Sequence, residues 1–240
     1  MIYILVDYDN LYPSDKERGV VFWIPQILRK VFANNDLINK LQAQISPQQA
    51  SVRIYGGWRN KDGYFTHLAE DLHKDIQQLS LPYPSQEVNI NVNVELASSL
   101  IIPNSGVFHH TLRTRSCIDD KMKIADPPQQ NNCNISSCIL HDIKYIMQTN
   151  NCRHGVCYLR EIFTRDEQKL VDVMIACDVA YLSQNADAIL VIVSDDNDFI
   201  PAIQLGLVYS NNIFMLHTKP HETVPAHYKR RIRNCVEINY

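Results

Sequence analysis

A three-layer α/β fold, with a mostly parallel central sheet and helices on both faces, is predicted by three features of this 240-residue chain. Two short apolar runs, Ile2-Tyr3-Ile4-Leu5-Val6 and Ala188-Ile189-Leu190-Val191-Ile192-Val193, have the β-branched composition of strands buried on both faces. Segments with apolar residues at helical spacing alternate with strand-like runs, the pattern of parallel strands joined by helical crossovers. Both apolar runs end in acids: Asp7-Tyr8-Asp9-Asn10 after the first, Ser194-Asp195-Asp196-Asn197-Asp198-Phe199 after the second. In open parallel sheets the ligand crevice lies at the carboxyl ends of the strands, so these acids fall where a site belongs.

Residues 2–6 are the first strand. Phe22 to Phe32 places Phe22, Ile24, Ile27, Leu28 and Val31 at helical spacing, and Pro25, which lacks an N–H, marks the start of the regular helix. Leu37 to Ile45 extends the helical region. Ser51 to Tyr55 is a second strand, closed by Gly56-Gly57. Over His67 to Leu79, residues Leu68, Leu72, Ile76 and Leu79 share one helical face. Val88 to Val94 alternates Val or Ile with Asn, which reads as a half-exposed strand, and Val107 to Arg115 is expected to pair with it as a hairpin. From Cys117 to Asn151 the chain is polar, with Pro127-Pro128-Gln129-Gln130-Asn131-Asn132 as a loop, and Val156 to Phe163 reads as another strand. Gln168 to Leu182 is the clearest helix; Leu170, Val171, Val173, Met174, Ala176, Cys177 and Ala180 make it apolar on most sides and therefore buried. The strand 188–193, a helix from Asp198 through Leu205 and a strand over Ile213 to Leu216 follow. The whole reads as one domain over residues 1–240, with an insertion at 103–155.

Composition narrows the function. No apolar run approaches the ~20 residues that cross a bilayer. The amino terminus opens directly on a strand without the segments of a signal peptide, so the expected compartment is the cytoplasm. A net charge of −3 gives no bulk attraction to nucleic acid, but Lys229, Arg230, Arg231 and Arg233 form a local basic run, either a solvated face or a phosphate-contacting patch. No Gly-x-Gly-x-x-Gly or Walker loop follows the first strand, which argues against a nucleotide-binding site of that type.

The acids carry the functional signal. Crowded carboxylates repel one another and usually need a cation between them, and a cation held by oxygen ligands serves phosphate chemistry. Asp7 ends a strand and Asn10 can turn its amide to the same point, although strand-end Asp and Asn also cap helices and form turns. Asp172 lies on the apolar helix one turn after Lys169, so it pairs with Lys169 or with a metal. Asp178, six residues on, is rotated roughly 120° and displaced ~9 Å along the axis, which suits a structural hydrogen bond or an outer contact better than the same ion. Asp196 and Asp198 reach one point from a tight strand-to-helix turn that Ser194 can cap or orient. Capping explains one of these aspartates, not three. Asp9 and Asp195 read as bystanders or outer contacts.

Asp7-x-x-Asn10, Lys169-x-x-Asp172 with the later Asp178, and Ser194-x-Asp196-x-Asp198-Phe199 together resemble the NYN domain family of the PIN-like nuclease superfamily. The matching segments are 2–11, 155–216 and, more loosely, 51–59. The resemblance implies a Rossmann-like, PIN-like fold and a Mg²⁺ or Mn²⁺ site at Asp7, Asp172, Asp196 and Asp198. Asn10 stands at the family's polar position after the first strand, and Lys169 would hold a phosphate or neutralise Asp172. It also implies an endoribonuclease acting on single-stranded or tRNA-like RNA, and a homodimer in many members. Asp195 replaces a residue that is usually small, and the connection before Lys169 is longer than usual.

Three further groups supplement this reading. Cys133-x4-Cys138 and Cys152-x4-Cys157 are equally spaced pairs separated by 13 residues, and four thiolates suit a structural Zn²⁺ that would staple the insertion; His141, His154, Cys117, His109 and His110 are alternative ligands, and ordinary reduced thiols are the plain alternative. Tyr55-Gly56-Gly57-Trp58-Arg59 follows a strand end, so Trp58 either stacks on a base or packs in the core, and Arg59 faces the same crevice. Ser194, Lys229, Arg230 and Arg231 complete the expected substrate contacts. The competing functions are a catalytically silent nucleic-acid-binding or scaffold module and a structure-specific DNA nuclease, because such a site reads phosphate rather than sugar.

Overall fold

The computed structural model describes residues 1–42, 49–79, 83–84, 89–116, 145, 149, 164–219 and 222–239. It divides into a main unit, Met1–Leu112 with Gln168–Tyr240, and a smaller one, Arg113–Glu167. The main unit contains β1 (Ile2–Asp7), α1 (Pro13–Arg18), α2 (Val20–Phe32), α3 (Asn35–Gln42), β2 (Gln49–Tyr55), α4 (His67–Gln77), β3 (Tyr83–Pro84) and β4 (Asn89–Leu96). After the two paired strands β5 (Leu112–Ser116) and β6 (Thr164–Gln168), which lie mostly in the smaller unit, come α5 (Val171–Leu182), β7 (Ile189–Val193), α6 (Ile200–Gly206), β8 (Ile213–Leu216), α7 (Ala226–Lys229) and β9 (Val236–Ile238).

The central sheet runs β3-β4-β2-β1-β7-β8-β9. All its pairings are parallel except the short β3 with β4. β1 and β7 are buried on both faces because period-2 alternation sends successive apolar side chains into two cores. Ile2, Ile4, Val6, Ile189, Val191 and Val193 pack with Trp23, Ile27 and Val31 of α2 and Leu72 of α4. Leu5, Leu190 and Ile192 pack with Met174, Ile175 and Val179 of α5 and Ile203 of α6. The expected three-layer α/β arrangement follows from those two cores.

The chain leaves β1 toward β2 and β4 on one side and later builds β7, β8 and β9 on the other. The order therefore reverses between β1 and β7, and that reversal opens a crevice at their carboxyl ends. Asp7 pairs with Tyr55 at the end of β1, and Val6 lies beside Val193 at the end of β7.

Three expectations about elements are corrected. Helix α2 begins at Val20, with Pro25 inside it. The proline removes one backbone bond, to the carbonyl of Val21, and Val21 is half exposed, so solvent can take the orphaned oxygen. Val107–Arg115 does not form a hairpin with residues 88–94, because β4 already has β2 on one side and β3 on the other; β5 pairs with β6 instead. Helix α5 starts at Val171 rather than Gln168, since Gln168 belongs to β6 and Leu170 turns the chain at φ +68°. Val156–Phe163 lies outside the described residues.

In the smaller unit, Arg113 Nε donates to Glu167 Oε1 at 2.5 Å and Thr114 Oγ1 donates to Asp166 at 2.6 Å. Glu167 also faces Arg115 and Arg165 at 3.4 and 3.6 Å. The Arg113 hydrogen bond, with the charge of all three arginines, holds the Glu167 carboxyl below its ordinary range. Among the described residues no helix is long and apolar enough to cross a membrane.

Candidate metal centre

The site starts from Asp7, only 2% exposed although a strand end could have turned it outward. Its Oδ2 accepts Asn10 Nδ2 at 2.6 Å and Ser194 Oγ at 3.1 Å. Ser194 follows β7 and is fully buried, and its Oγ in turn accepts the Asp196 backbone N–H at 3.0 Å. A two-residue Asx-type turn then lets Asp196 Oδ1 accept the Asp198 N–H at 2.9 Å, starting the 3₁₀ turn Asn197–Phe199. One hydroxyl thus ties the end of β1 to the loop after β7. Ser194 is a positioning group, and its burial removes it from the expected substrate contacts.

Asp195 points the other way. Its carboxylate meets His217 Nδ1 at 3.1 Å, the Thr218 N–H at 3.0 Å and the Thr218 hydroxyl. That hydroxyl is also within 2.6 Å of the Asn10 carbonyl. His217 Nε2 lies 3.2 Å from Glu237, whose carboxylate also accepts the Val224 N–H. Burial pulls the imidazole's pKa down, but the two flanking carboxylates outweigh it and the net direction is up. Burial pushes Asp195 up, and its hydrogen bonds to His217 and Thr218 bring it below the ordinary carboxylate range. This clamp anchors the 194–198 loop to the ends of β8 and β9. The sequence does not reveal it directly because Asp195, His217 and Glu237 are about 20 residues apart; the available signal is a histidine directly after the apolar run Ile213–Leu216.

Asp172 corrects the picture of a fully buried helix. The stripe Val171, Met174, Ile175, Asp178, Val179 and Leu182 faces the core, while Asp172, Val173 and Cys177 are exposed. Apolar composition all round is misleading here: helical geometry, not composition, decides which stripe is covered. Lys169 is not on the helix, and no ion pair joins it to Asp172 among the described residues. Its N–H bonds the Thr111 carbonyl at 2.8 Å, and Thr111 Oγ1 accepts the Arg59 N–H at 3.0 Å. Asp178 is wholly buried, accepting Tyr55 O–H at 2.6 Å and the Ile101 N–H at 2.9 Å, with Arg53 Nε at 3.9 Å. It serves the structure, as its helical offset predicts.

The acids of the crevice act on one another. Burial first, then the charges of Asp172 and Asp9, push the Asp7 carboxyl up to about 6 despite the Asn10 and Ser194 hydrogen bonds. Desolvation raises Asp172 as well, followed by the charges of Asp196, Asp198 and Asp9. Asp9, expected to be a bystander or an outer contact, adds its charge to the cluster. No side-chain ion pair neutralises Asp7, Asp9, Asp172, Asp196 or Asp198 among the described residues; Lys16 bonds the Asp9 backbone carbonyl at 2.8 Å rather than its carboxylate. Among those residues no three His, Cys, Asp or Glu side chains are drawn together closely enough to hold a metal ion between them. An all-oxygen, open, uncompensated donor set fits a hard cation that keeps part of its water shell.

Trp58 is not available to a base. It is 1% exposed, its Nε1 donates to the Ile54 carbonyl at 2.8 Å, and its ring meets Tyr8 edge-on at 5.3 Å. Gly56 makes room for it, since a Cβ there would lie 2.5 Å from the indole. Arg59 is partly exposed, stacks over Phe65 at 4.2 Å and donates to the Gly63 carbonyl at 2.6 Å. The neighbouring Tyr64, unremarked in the sequence, is 72% exposed. Lys229 pairs with Glu237 at 3.5 Å, and Arg230 and Arg231 line a depression with residues at the carboxyl end of α6. That depression lies at the amino-terminal edge of the strands, away from the acids. The four cysteines expected to hold Zn²⁺, with Cys117, His141 and His154, lie outside the described residues.

Comparison with protein-family models, curated proteins and solved structures returns no match.

Proposed function

We propose that this chain is a metal-dependent endoribonuclease of the PIN-like kind, hydrolysing phosphodiester bonds with Mg²⁺ or Mn²⁺ held by Asp7, Asp172, Asp196 and Asp198. The observation that carries the reading is one crevice, at the point where strand order reverses, containing carboxylates from three separate segments and no compensating cation among the described residues. A fold with no use for that charge would not need to bury Asp7 beside it. A divalent cation, when bound, supplies charge that offsets the phosphodiester and makes water a competent nucleophile at neutral pH.

The chain's own contribution is positioning. Asn10 and Ser194 aim Asp7, and Ser194 and the Asp195–His217–Glu237 clamp hold the turn that presents Asp196 and Asp198. Asp172 approaches from the first turn of α5, where the helix dipole also favours a carboxylate. Lys169, which is exposed, and Arg59, which is partly exposed, are tied through their backbone N–H groups to the same Thr111 and are the cations that suit the phosphates flanking the scissile bond.

The test is incubation of purified protein with labelled single-stranded RNA, tRNA and DNA in Mn²⁺ or EDTA. Cleavage of RNA that needs Mn²⁺ and falls at least ~100-fold in Asp196→Ala is the expected result. Undiminished cleavage by Asp196→Ala would refute the assignment, and cleavage of DNA alone would transfer it to a DNA nuclease. Binding without cleavage would leave a silent module.

A further inference from the structure

Lys229 reaches Glu237 of the clamp, but the arginines of the basic run line a depression before β8 and β9, at the end of the sheet opposite the acids, and they are not an ordinary solvated face. Of the run's four cations, Lys229 is neutralised by Glu237. Arg230, Arg231 and Arg233 are exposed and have no carboxylate partner among the described residues. They line one open depression together with Gln204, Leu207, Val208 and Asn234. Its location follows from topology. Helix α6 starts beside the carboxyl end of β7 and runs back along the sheet, so residues 204–208 reach the opposite edge, just before β8. Residues 230–234 precede β9 at that same edge.

On a chain of net charge −3, three arginines without a carboxylate partner among the described residues reverse the sign around one hollow. Guanidinium groups match phosphate oxygens as planar two-pronged donors. Gln204 and Asn234 each add a donor and an acceptor, the complement of a base edge. Leu207 is partly exposed and Val208 is 74% exposed, giving an apolar wall. Charge, amide and apolar surface together match a nucleotide whose base is unpaired; a plain polyanion such as polyglutamate would leave the apolar wall bare, and a duplex would hide the base.

We propose that this depression is a second nucleic-acid site, which binds the phosphates of a single strand through Arg230, Arg231 and Arg233 with a base against Leu207 and Val208. As a place where substrate is held away from the acidic crevice it rests on the nuclease reading, but the binding itself does not. It is therefore measured without divalent cation, so that failure of one leaves the other standing.

Fluorescence anisotropy of the full chain with a labelled oligouridine of about 12 nucleotides, in EDTA between about 50 and 200 mM salt, reads both affinity and salt slope. The variant Arg230→Gln/Arg231→Gln/Arg233→Gln keeps the amphipathic stems and removes the charges. It is expected to bind at least about tenfold more weakly, with a log–log salt slope shallower by about 2, at ~0.7 per phosphate on single strands. Arg233→Gln alone, expected to take about a third of that change, keeps the test decisive should the triple variant not fold by circular dichroism. Absence of binding by the unmodified chain, or the same affinity and slope in both variants, would overturn the proposal. So would equal competition by polyglutamate, or equal binding of duplex RNA.

Discussion

Asp7→Asn is expected to make the protein more stable in EDTA while abolishing its response to Mn²⁺. Asp7 is buried, and its carboxyl is pushed up to about 6, first by burial and then by Asp172 and Asp9. A raised acid favours folding while protonated, and that advantage is lost as pH climbs from the unfolded value near 4 through 6. Above pH 6 the ionised group weighs against the folded state by about 1–3 kcal/mol, the upper end following from ~1.4 kcal/mol for each tenfold weakening of the acid. An amide carries no such cost, and Asn10 can rotate its own amide to present oxygen to it. Denaturant unfolding of both proteins should show the variant's advantage growing between pH 4 and 6 and level above. At about 1,000 times its dissociation constant Mn²⁺ reverses the order, because it then adds about 4.1 kcal/mol to the protein that binds it. An equal gain in both proteins would show that Asp7 is not part of the ion site.

The second large effect separates two acids on one helix. Asp172→Asn is expected to lower Mn²⁺-dependent RNA cleavage at least ~100-fold while leaving stability within about 0.5 kcal/mol, because the side chain is exposed. Asp178→Leu is expected to cost about 2–4 kcal/mol, since it strips partners from the Tyr55 hydroxyl, the Ile101 N–H and Arg53 in the core. Chemical denaturation and single-turnover cleavage of the two variants distinguish the roles. Loss of cleavage in a stable Asp178 variant, with full activity in the Asp172 one, would reverse the assignment.

These two residues also show what a sequence can and cannot reveal here. β1 and β7 are legible because apolar residues on both faces of a strand leave an unbroken run, and the acids at their ends then follow from strand direction alone. Asn10 beside Asp7 is legible for the same reason, being local. Which stripe of α5 meets the core is not, because Val173 and Cys177 are as apolar as the residues they flank, and an apolar exposed residue carries no mark. Lys169 could not be placed because a single residue, Leu170, turns the chain at positive φ and removes it from the helix. Trp58 stands equally between core and ligand until Gly56 and Tyr8 are seen to enclose it. The His217 clamp and the β5–β6 pairing depend on residues distant in sequence, where local propensity is silent.

Binding of a divalent cation by the strand-end carboxylates is measured by titrating Mn²⁺ into the metal-free protein at neutral pH and counting bound ion by electron paramagnetic resonance. Saturable binding that EDTA reverses, and that weakens at least about tenfold in Asp196→Asn, is the expected result. No saturable binding at millimolar Mn²⁺, or identical binding by the variant, would contradict it.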